Sequence, residues 1–307
     1  FKSSRVVVIG AGQAGASLAA KLRALGHTGP LTLIGDEPAP PYQRPPLSKS
    51  YLKGEMPVER LFLRPLSFYE QQNIELITDV EVRGIDRAST TIACSDGREI
   101  RYDRLALTTG STARKLPAAV GGALEGVSSM RTLADADALA ESMQPGARAL
   151  IVGGGYIGLE AAAVFSAARM TVTVLEREPR ILARVAAPET ADYFRDLHRS
   201  QGVAIREGAS LERLEGANGT VRRGRLDDGS EILAEVVLVG IGVDPAVSLA
   251  RECGLEIDNG VRVDGGGRTS DPDIFAAGDC ASFPYQGRRI RLELSLIHIW
   301  TLPTKIV

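Results

Sequence analysis

The chain opens on a short apolar run, Arg5-Val-Val-Val-Ile9, with no alternation of polar and apolar positions. An unbroken β-branched run reads as a strand buried on both faces, as inside a parallel sheet. Gly10-Ala-Gly12-Gln-Ala-Gly15 follows at once. Ala16 to Leu25 then carries Ala, Leu, Lys and Arg at helical spacing and stops at Gly26. A second apolar run, Leu31–Ile34, ends at Gly35-Asp36-Glu37. The pattern predicts strand, glycine turn, helix, strand.

The same order returns 143 residues later. Ala149–Val152 leads into Gly153-Gly-Gly155-Tyr-Ile-Gly158, an Ala-rich helix runs from Leu159 towards Arg169, and the strand Thr171–Leu175 closes on Glu176. Two smaller modules are also paired. Ile92–Cys94 and Glu99–Tyr102 flank Asp96-Gly97, and Val221–Leu226 and Glu231–Ala234 flank Asp228-Gly229, each a hairpin signal. Each module precedes an apolar strand and a glycine turn: Arg104–Thr108 before Thr109-Gly110, and Glu235–Val239 before Gly240-Ile-Gly242. Gly260–Val263 and Ile274–Asp279 read as strands returning to the first half. The expectation is an α/β fold of two Rossmann-like three-layer (ββα) domains. The first covers residues 1–112 and resumes at 243–293, and the second, 113–242, is inserted in it.

Composition narrows the class. At roughly 150 residues per domain, 307 residues fit two. A 44 % hydrophobic and 24 % charged balance supports two cores and excludes a largely disordered chain. A net charge of −2 argues against a nucleic-acid partner. No apolar stretch reaches the roughly 18 residues of a membrane span and no signal peptide opens the chain, so no membrane partner and a cytoplasmic location are expected. Cys94, Cys253 and Cys280 are far apart, and His27, His198 and His298 are scattered. No disulfide framework or metal cluster can be read from them. The chemistry then rests on glycines, acids, bases and a borrowed cofactor.

The glycine loops supply a candidate. In a strand–GxGxxG–helix unit the first glycine permits the tight turn, the second lets a pyrophosphate approach the backbone, and the third lets helix and strand pack closely. The pyrophosphate lies on the partly positive helix N-terminus. An acid after the second strand accepts from ribose hydroxyls; Asp36 lies 26 residues after Gly10, and Glu176 lies 23 after Gly153. A structural glycine turn is the plainer alternative for either loop alone. Two full units in one chain point to two dinucleotides and electron transfer between them, a flavin and a nicotinamide. Glu176 would repel a 2′-phosphate, which favours NADH; Arg177 and Arg180 stand just beyond it and could soften that repulsion.

With these loops go Tyr42-Gln-Arg44-Pro-Pro-Leu-Ser-Lys49, Thr108-Thr109-Gly110, Gly153–Glu160 (GGGYIGLE), Gly240-Ile-Gly242 and Gly278-Asp279-Cys280. From residue 5 to about 293 the chain resembles the two-dinucleotide flavoprotein reductases of the pyridine nucleotide-disulfide oxidoreductase superfamily. The RPPLSK segment is similar to the NADH:ferredoxin reductases of oxygenase systems: the putidaredoxin, rubredoxin and biphenyl-dioxygenase ferredoxin reductases. The resemblance implies FAD and NADH as cofactors and a ferredoxin or rubredoxin-type iron–sulfur protein as partner. It implies that Gly10, Gly12, Ala14 and Gly15 line the FAD pyrophosphate, that Asp36 takes the adenosine ribose, and that Val82 holds the adenine by its backbone. Arg44, Thr109, Gly110, Arg131, Gly278 and Asp279 would also meet FAD. Lys49 would place its ammonium near the reactive edge of the flavin, with Glu160 against it, and these two are the catalytic candidates. Gly153, Gly155, Tyr156, Ile157, Gly158, Glu160, Glu176 and Gly242 would hold the nicotinamide dinucleotide. A cation there stabilises charge arriving with a hydride. The alternatives from spacing alone are a solvated Lys49, a surface acid at Glu160, and Asp279 as a helix cap.

Other readings stay open. A different acceptor (oxygen, or a nitrite reductase component) or a non-enzymatic redox sensor resembling apoptosis-inducing factor would use the same loops. Disulfide reductases need a cysteine at the flavin, and Cys280 is more simply a buried thiol. Arg60, Arg64, Arg288, Arg289 and Arg291 could form a basic surface for an acidic ferredoxin, or be scattered solvated arginines.

The chain departs from the family in three places. Thr108 stands where Ala is more common, and the chain begins at Phe1. After Arg291-Leu-Glu293 the family continues Ser-Val-x-Asn-Ala into an α+β interface domain, whereas here Leu294–Val307 follows. Leu294-Ser-Leu-Ile-His-Ile299 is what one frame of a sequencing-library transposon end encodes. Residues 294–307 are therefore expected to be translated adapter, with the interface domain missing and ferredoxin reduction impaired.

Overall fold

A computed structural model describes residues 2–291. The expected adapter tail, 294–307, lies outside the described residues. The chain's described residues divide into two compact units: 2–43, 61–112 and 245–291 form the first, and 44–60 with 113–244 form the second.

The first unit is built on a five-stranded parallel sheet in the order Ile274–Ala276, Arg104–Leu107, Val6–Ile9, Leu31–Ile34, Glu75–Ile77. The strand Val6–Ile9 is buried on both faces, as its apolar run dictates. Val6 and Val8 point into one cluster with Leu33, Ala19 and Tyr69; Val7 and Ile9 point into another with Ile34, Leu105 and Ile274. The helix Gln13–Ala24 contributes to the first cluster. The antiparallel sheet Val82–Asp86, Thr91–Cys94, Glu99–Arg101 contributes to the second. Helix, parallel sheet and antiparallel sheet are thus the three layers. Ile274–Ala276 pairs in parallel with Leu105–Leu107, so the returning segment belongs to the first unit.

The second unit repeats this plan. Its parallel sheet runs Ala204–Glu207, Thr171–Glu176, Arg148–Val152, Val236–Val239, Val127–Ser129. An antiparallel sheet of Leu211–Ala217, Thr220–Leu226 and Glu231–Leu233 covers one face through Leu214, Val221, Leu226 and Ile232. Helices Leu133–Ser142, Tyr156–Ala167 and Pro188–Ser200 complete it.

Three expectations shift. Both loop helices start earlier than predicted, at Gln13 and Tyr156, because Gly12 and Gly155 are extended cap residues and Gly15 and Gly158 lie inside the first turn. The predicted strand Gly260–Val263 shortens to Val261–Arg262. Segment 44–60, expected within an unbroken first domain, counts with the second unit instead. The reason is side-chain anchoring: Arg44 donates to the Arg131 carbonyl (2.6 Å), Ser48 to Glu160 (2.6 Å) and Tyr51 to Asp137 (2.7 Å).

Candidate functional site

The first glycine loop is forced by contacts that exclude any side chain. Gly10 has φ +107, and a Cβ there would lie 2.3 Å from the Thr108 carbonyl oxygen. A Cβ on Gly15 would lie 2.1 Å from the Gly10 oxygen. Gly12 differs: a Cβ there meets nothing within 4 Å. The helix behind it starts with no side-chain cap hydrogen bond. First-turn amides have no intrahelical partner, so they face open space at the positive end of the helix. A pyrophosphate fits that combination.

The rest of the predicted FAD set falls into two groups. Gly278 turns with φ +79, and a Cβ there would come 2.9 Å from the Ala14 Cβ, which brings Gly278-Asp279 against the glycine loop. Ser111 donates to Asp279 Oδ2 (2.9 Å). Thr109 Oγ1 donates to the Ala246 carbonyl (2.7 Å), and the Gly110 carbonyl accepts from the Ala246 amide (3.0 Å). Asp36 is exposed at the end of Leu31–Ile34. Val82 is the buried first residue of its strand. Arg44 and Arg131 sit instead in the second unit, joined by the bond already given.

The second loop mirrors the first. A Cβ on Gly153 (φ +113) would lie 2.4 Å from the Gly240 oxygen, and one on Gly158 would lie 2.1 Å from the Gly153 oxygen. Gly155, the counterpart of Gly12, again has open space and caps its helix without a side chain. Tyr156 and Ile157, the first helical residues, expose 51 % and 38 % of their surface. Apolar side chains held open beside free amides suit a ligand that covers them. Glu176 is half-buried, with Oε2 accepting from the Gly154 amide (2.7 Å) and Oε1 from the Glu178 amide (2.8 Å). It therefore holds the loop in shape as well as facing it. Gly242 has φ +108, with Arg114 and Arg184 nitrogens 3.7 and 3.9 Å from where a Cβ would stand. Arg180 is tied to the carbonyls of Ala183 and Ala186 (3.3 and 2.9 Å), and Arg177 is exposed beside Glu178.

Within the second unit Lys49 Nζ lies 2.7 Å from Glu160 Oε2. Both are therefore in one cluster, although 111 positions separate them. Ser48 joins them, and nothing in its residue type singled it out. Thr108 is another unforeseen participant: its buried hydroxyl lies 3.0 Å from the Ile9 carbonyl and 2.8 Å from that of Gly10, clipping the first loop to its strand.

The cysteines are all free. Cys280 is buried, donates to the carbonyls of Leu107 and Ala277, and burial pushes its thiol pKa up. Such a thiol is inert. Among the described residues no group of His, Cys, Asp and Glu is arranged for a metal, and no helix is long and apolar enough to cross a membrane. Of the surface arginines, Arg64 stacks on Phe68 and Arg289 donates to the Val263 carbonyl.

Comparison with known proteins matches this geometry to a family. Residues 4–298 match the pyridine nucleotide-disulphide oxidoreductase family. A ferredoxin–NAD(P)(+) reductase of Sphingomonas sp is 42 % identical over 94 % of this chain and 70 % of its own length. The putidaredoxin reductase CamA of Pseudomonas putida is 40 % identical over 95 % of this chain and 70 % of its own. The rubredoxin-NAD(+) reductase of the same species is 40 % identical over 94 % and 75 %. The reductase in the crystal structure of the covalent putidaredoxin reductase–putidaredoxin complex superposes with a TM-score of 0.91 at 40 % identity, covering 94 % of this chain and 71 % of that one. With two glycine-loop units of the same plan and relatives this similar along nearly the whole chain, the protein belongs to the pyridine nucleotide-disulphide oxidoreductase family.

Proposed function

We propose that this chain is an FAD-dependent NADH:ferredoxin reductase, passing electrons from NADH to a ferredoxin or rubredoxin-type iron–sulfur protein. The observation that carries the reading is the pair of glycine loops, each backed by an uncapped helix N-terminus with open space at its middle glycine. The relatives named as ferredoxin, rubredoxin and putidaredoxin reductases support the acceptor class. When bound, FAD would supply the two-electron-to-one-electron conversion that links NADH to an iron–sulfur protein.

The chain's own residues do the rest. Amides behind Gly12, with Gly10, Ala14 and Gly15 around them, hold the FAD pyrophosphate. Asp36 accepts from the adenosine ribose, and the Val82 backbone meets the adenine. Thr109, Gly110, Gly278 and Asp279 complete the cradle in the first unit, and the motif resemblance also assigns Arg44 and Arg131 to FAD. Gly153, Gly155, Tyr156, Ile157, Gly158 and Gly242 hold NADH, with Glu176 at its adenosine ribose. Glu160 places the Lys49 ammonium, and Lys49 stabilises negative charge as the hydride arrives. The free cysteines fit a reducing, cytoplasmic compartment.

The test uses the purified full-length gene product loaded with FAD. It should be yellow, bleach with NADH, and regain colour faster with a [2Fe–2S] ferredoxin than with oxygen. Recolouring at the same rate with oxygen alone would favour a different acceptor.

A further inference from the structure

We propose that Ser48 is a positioning residue, fixing through Glu160 the direction in which the Lys49 ammonium points; the assignment rests on the role given above to Lys49. Ser48 ends a short 3₁₀ turn, Pro45–Ser48, whose prolines restrict its backbone. Its side chain is buried, with 5 % of the residue exposed. Glu160 lies on the helix Tyr156–Ala167. Two rigid elements thus face each other. Ser48 Oγ donates to Glu160 Oε2 over 2.6 Å, and Lys49 Nζ lies 2.7 Å from the same oxygen. Lys49 Nζ also donates to the Pro45 carbonyl at 3.0 Å.

The lysine–glutamate pair alone would be loose. Lys49 has 48 % of its side chain exposed and Glu160 30 %. Pairs of that exposure are weak, and a lysine stem is flexible. The buried hydroxyl changes this. By donating to Oε2 it holds the carboxylate in one orientation, and the ammonium follows that oxygen. Two of the three ammonium N–H groups are then directed, at Oε2 and at the Pro45 carbonyl. The third is left, pointing where the other two send it, for an acceptor that none of the described residues supplies. Remove the hydroxyl and the carboxylate turns about its terminal torsions, carrying the ammonium with it.

The experiment uses the full chain loaded with FAD. Ser48→Ala removes the donor, Ser48→Thr keeps it, and Ser48→Cys keeps the volume with a weak donor should the alanine variant not fold. Two quantities are read: the rate of Lys49 acetylation by mass spectrometry, with Lys21 and Lys53 as internal references, and the limiting rate of flavin reduction by NADH. Ser48→Ala should raise Lys49 acetylation several-fold relative to Lys21 and Lys53. It should slow flavin reduction about tenfold while the NADH Kd stays within about twofold. Ser48→Thr should restore both. Wild-type acetylation and reduction rates in Ser48→Ala would overturn the proposal, as would a loss of stability alone. Lys49→Met separates the two readings. If it reduces flavin at the wild-type rate, the role of Lys49 falls, while acetylation in Ser48→Ala still decides whether Ser48 holds the amine.

Discussion

Gly12 and Gly15 stand three positions apart in one loop, yet a methyl group acts differently at each. At Gly15 it would be driven into the Gly10 carbonyl, the Thr108 hydroxyl and Leu33. Gly15→Ala should cost about 3 kcal/mol of stability, the upper end for overpacking, in a urea titration. At Gly12 the methyl has room and the backbone is extended at φ −90. Gly12→Ala should stay within about 0.5 kcal/mol of wild type and still lose FAD, read as flavin absorbance after gel filtration. Retention of FAD by Gly12→Ala would remove the loop from the pyrophosphate site. Glu176 carries a different prediction. Its carboxylate is engaged by two backbone amides, so Glu176→Ala should cost about 1 kcal/mol and weaken NADH. With an arginine added nearby, the kcat/KM ratio of NADPH to NADH should rise, because a like-charge contact with the 2′-phosphate is gone. Wild-type preference for NADPH would sink this account.

The helix Pro188–Ser200 shows how an element senses pH. His198 is buried on it, and burial lowers its pKa from the ordinary 6.5. A base depressed in the folded state takes up its proton first in the unfolded chain. Stability is therefore full above pH 6.5 and declines as pH falls below it. The same helix is clasped to the strand Ala204–Glu207 by Arg195 and Glu207, 2.7 Å apart. Burial pushes the Glu207 carboxyl up, but Arg195 and the Ile181 amide outweigh it and hold the carboxyl below its ordinary 4.5. That contribution is present above pH 4.5 and lost below it. Stability from urea titrations should therefore fall in two steps, and His198→Gln should abolish only the step that starts near 6.5. A variant that keeps that step would show that another group causes it.

Across the whole molecule, each unit has its own parallel sheet, core cluster and glycine loop. Ligand binding in one should therefore survive damage to the other. In FAD-stripped protein, NAD⁺ at a hundredfold its Kd should add about 2.7 kcal/mol of stability, and Gly12→Ala should leave that gain intact. Gly155→Ala should remove it. Loss of NAD⁺ stabilisation in Gly12→Ala would mean that the units are not independent binders.

What the sequence determined by itself is whatever is encoded in adjacent residues. The runs Val6–Ile9 and Arg148–Val152, the glycine loops after them, and the acids Asp36 and Glu176 are all local, and their spacing carried the fold class and the pair of dinucleotides. Three of the four edge strands of the parallel sheets escaped notice. Glu75–Ile77, Ala204–Glu207 and Val127–Ser129 are short and only partly buried, because an edge has one sheet neighbour and leaves no apolar run. Early helix starts were missed because an extended glycine cap has no side chain to announce it. The motif resemblance paired Lys49 with Glu160. Only the tertiary structure placed Ser48 on the same oxygen, Ser111 on Asp279 and Thr108 across the first loop, and drew segment 44–60 into the second unit. The physical reason is that apolar periodicity reports how deeply a residue is buried, whereas a polar partner 112 or 168 positions away is chosen by how the finished sheets and helices bring their ends together.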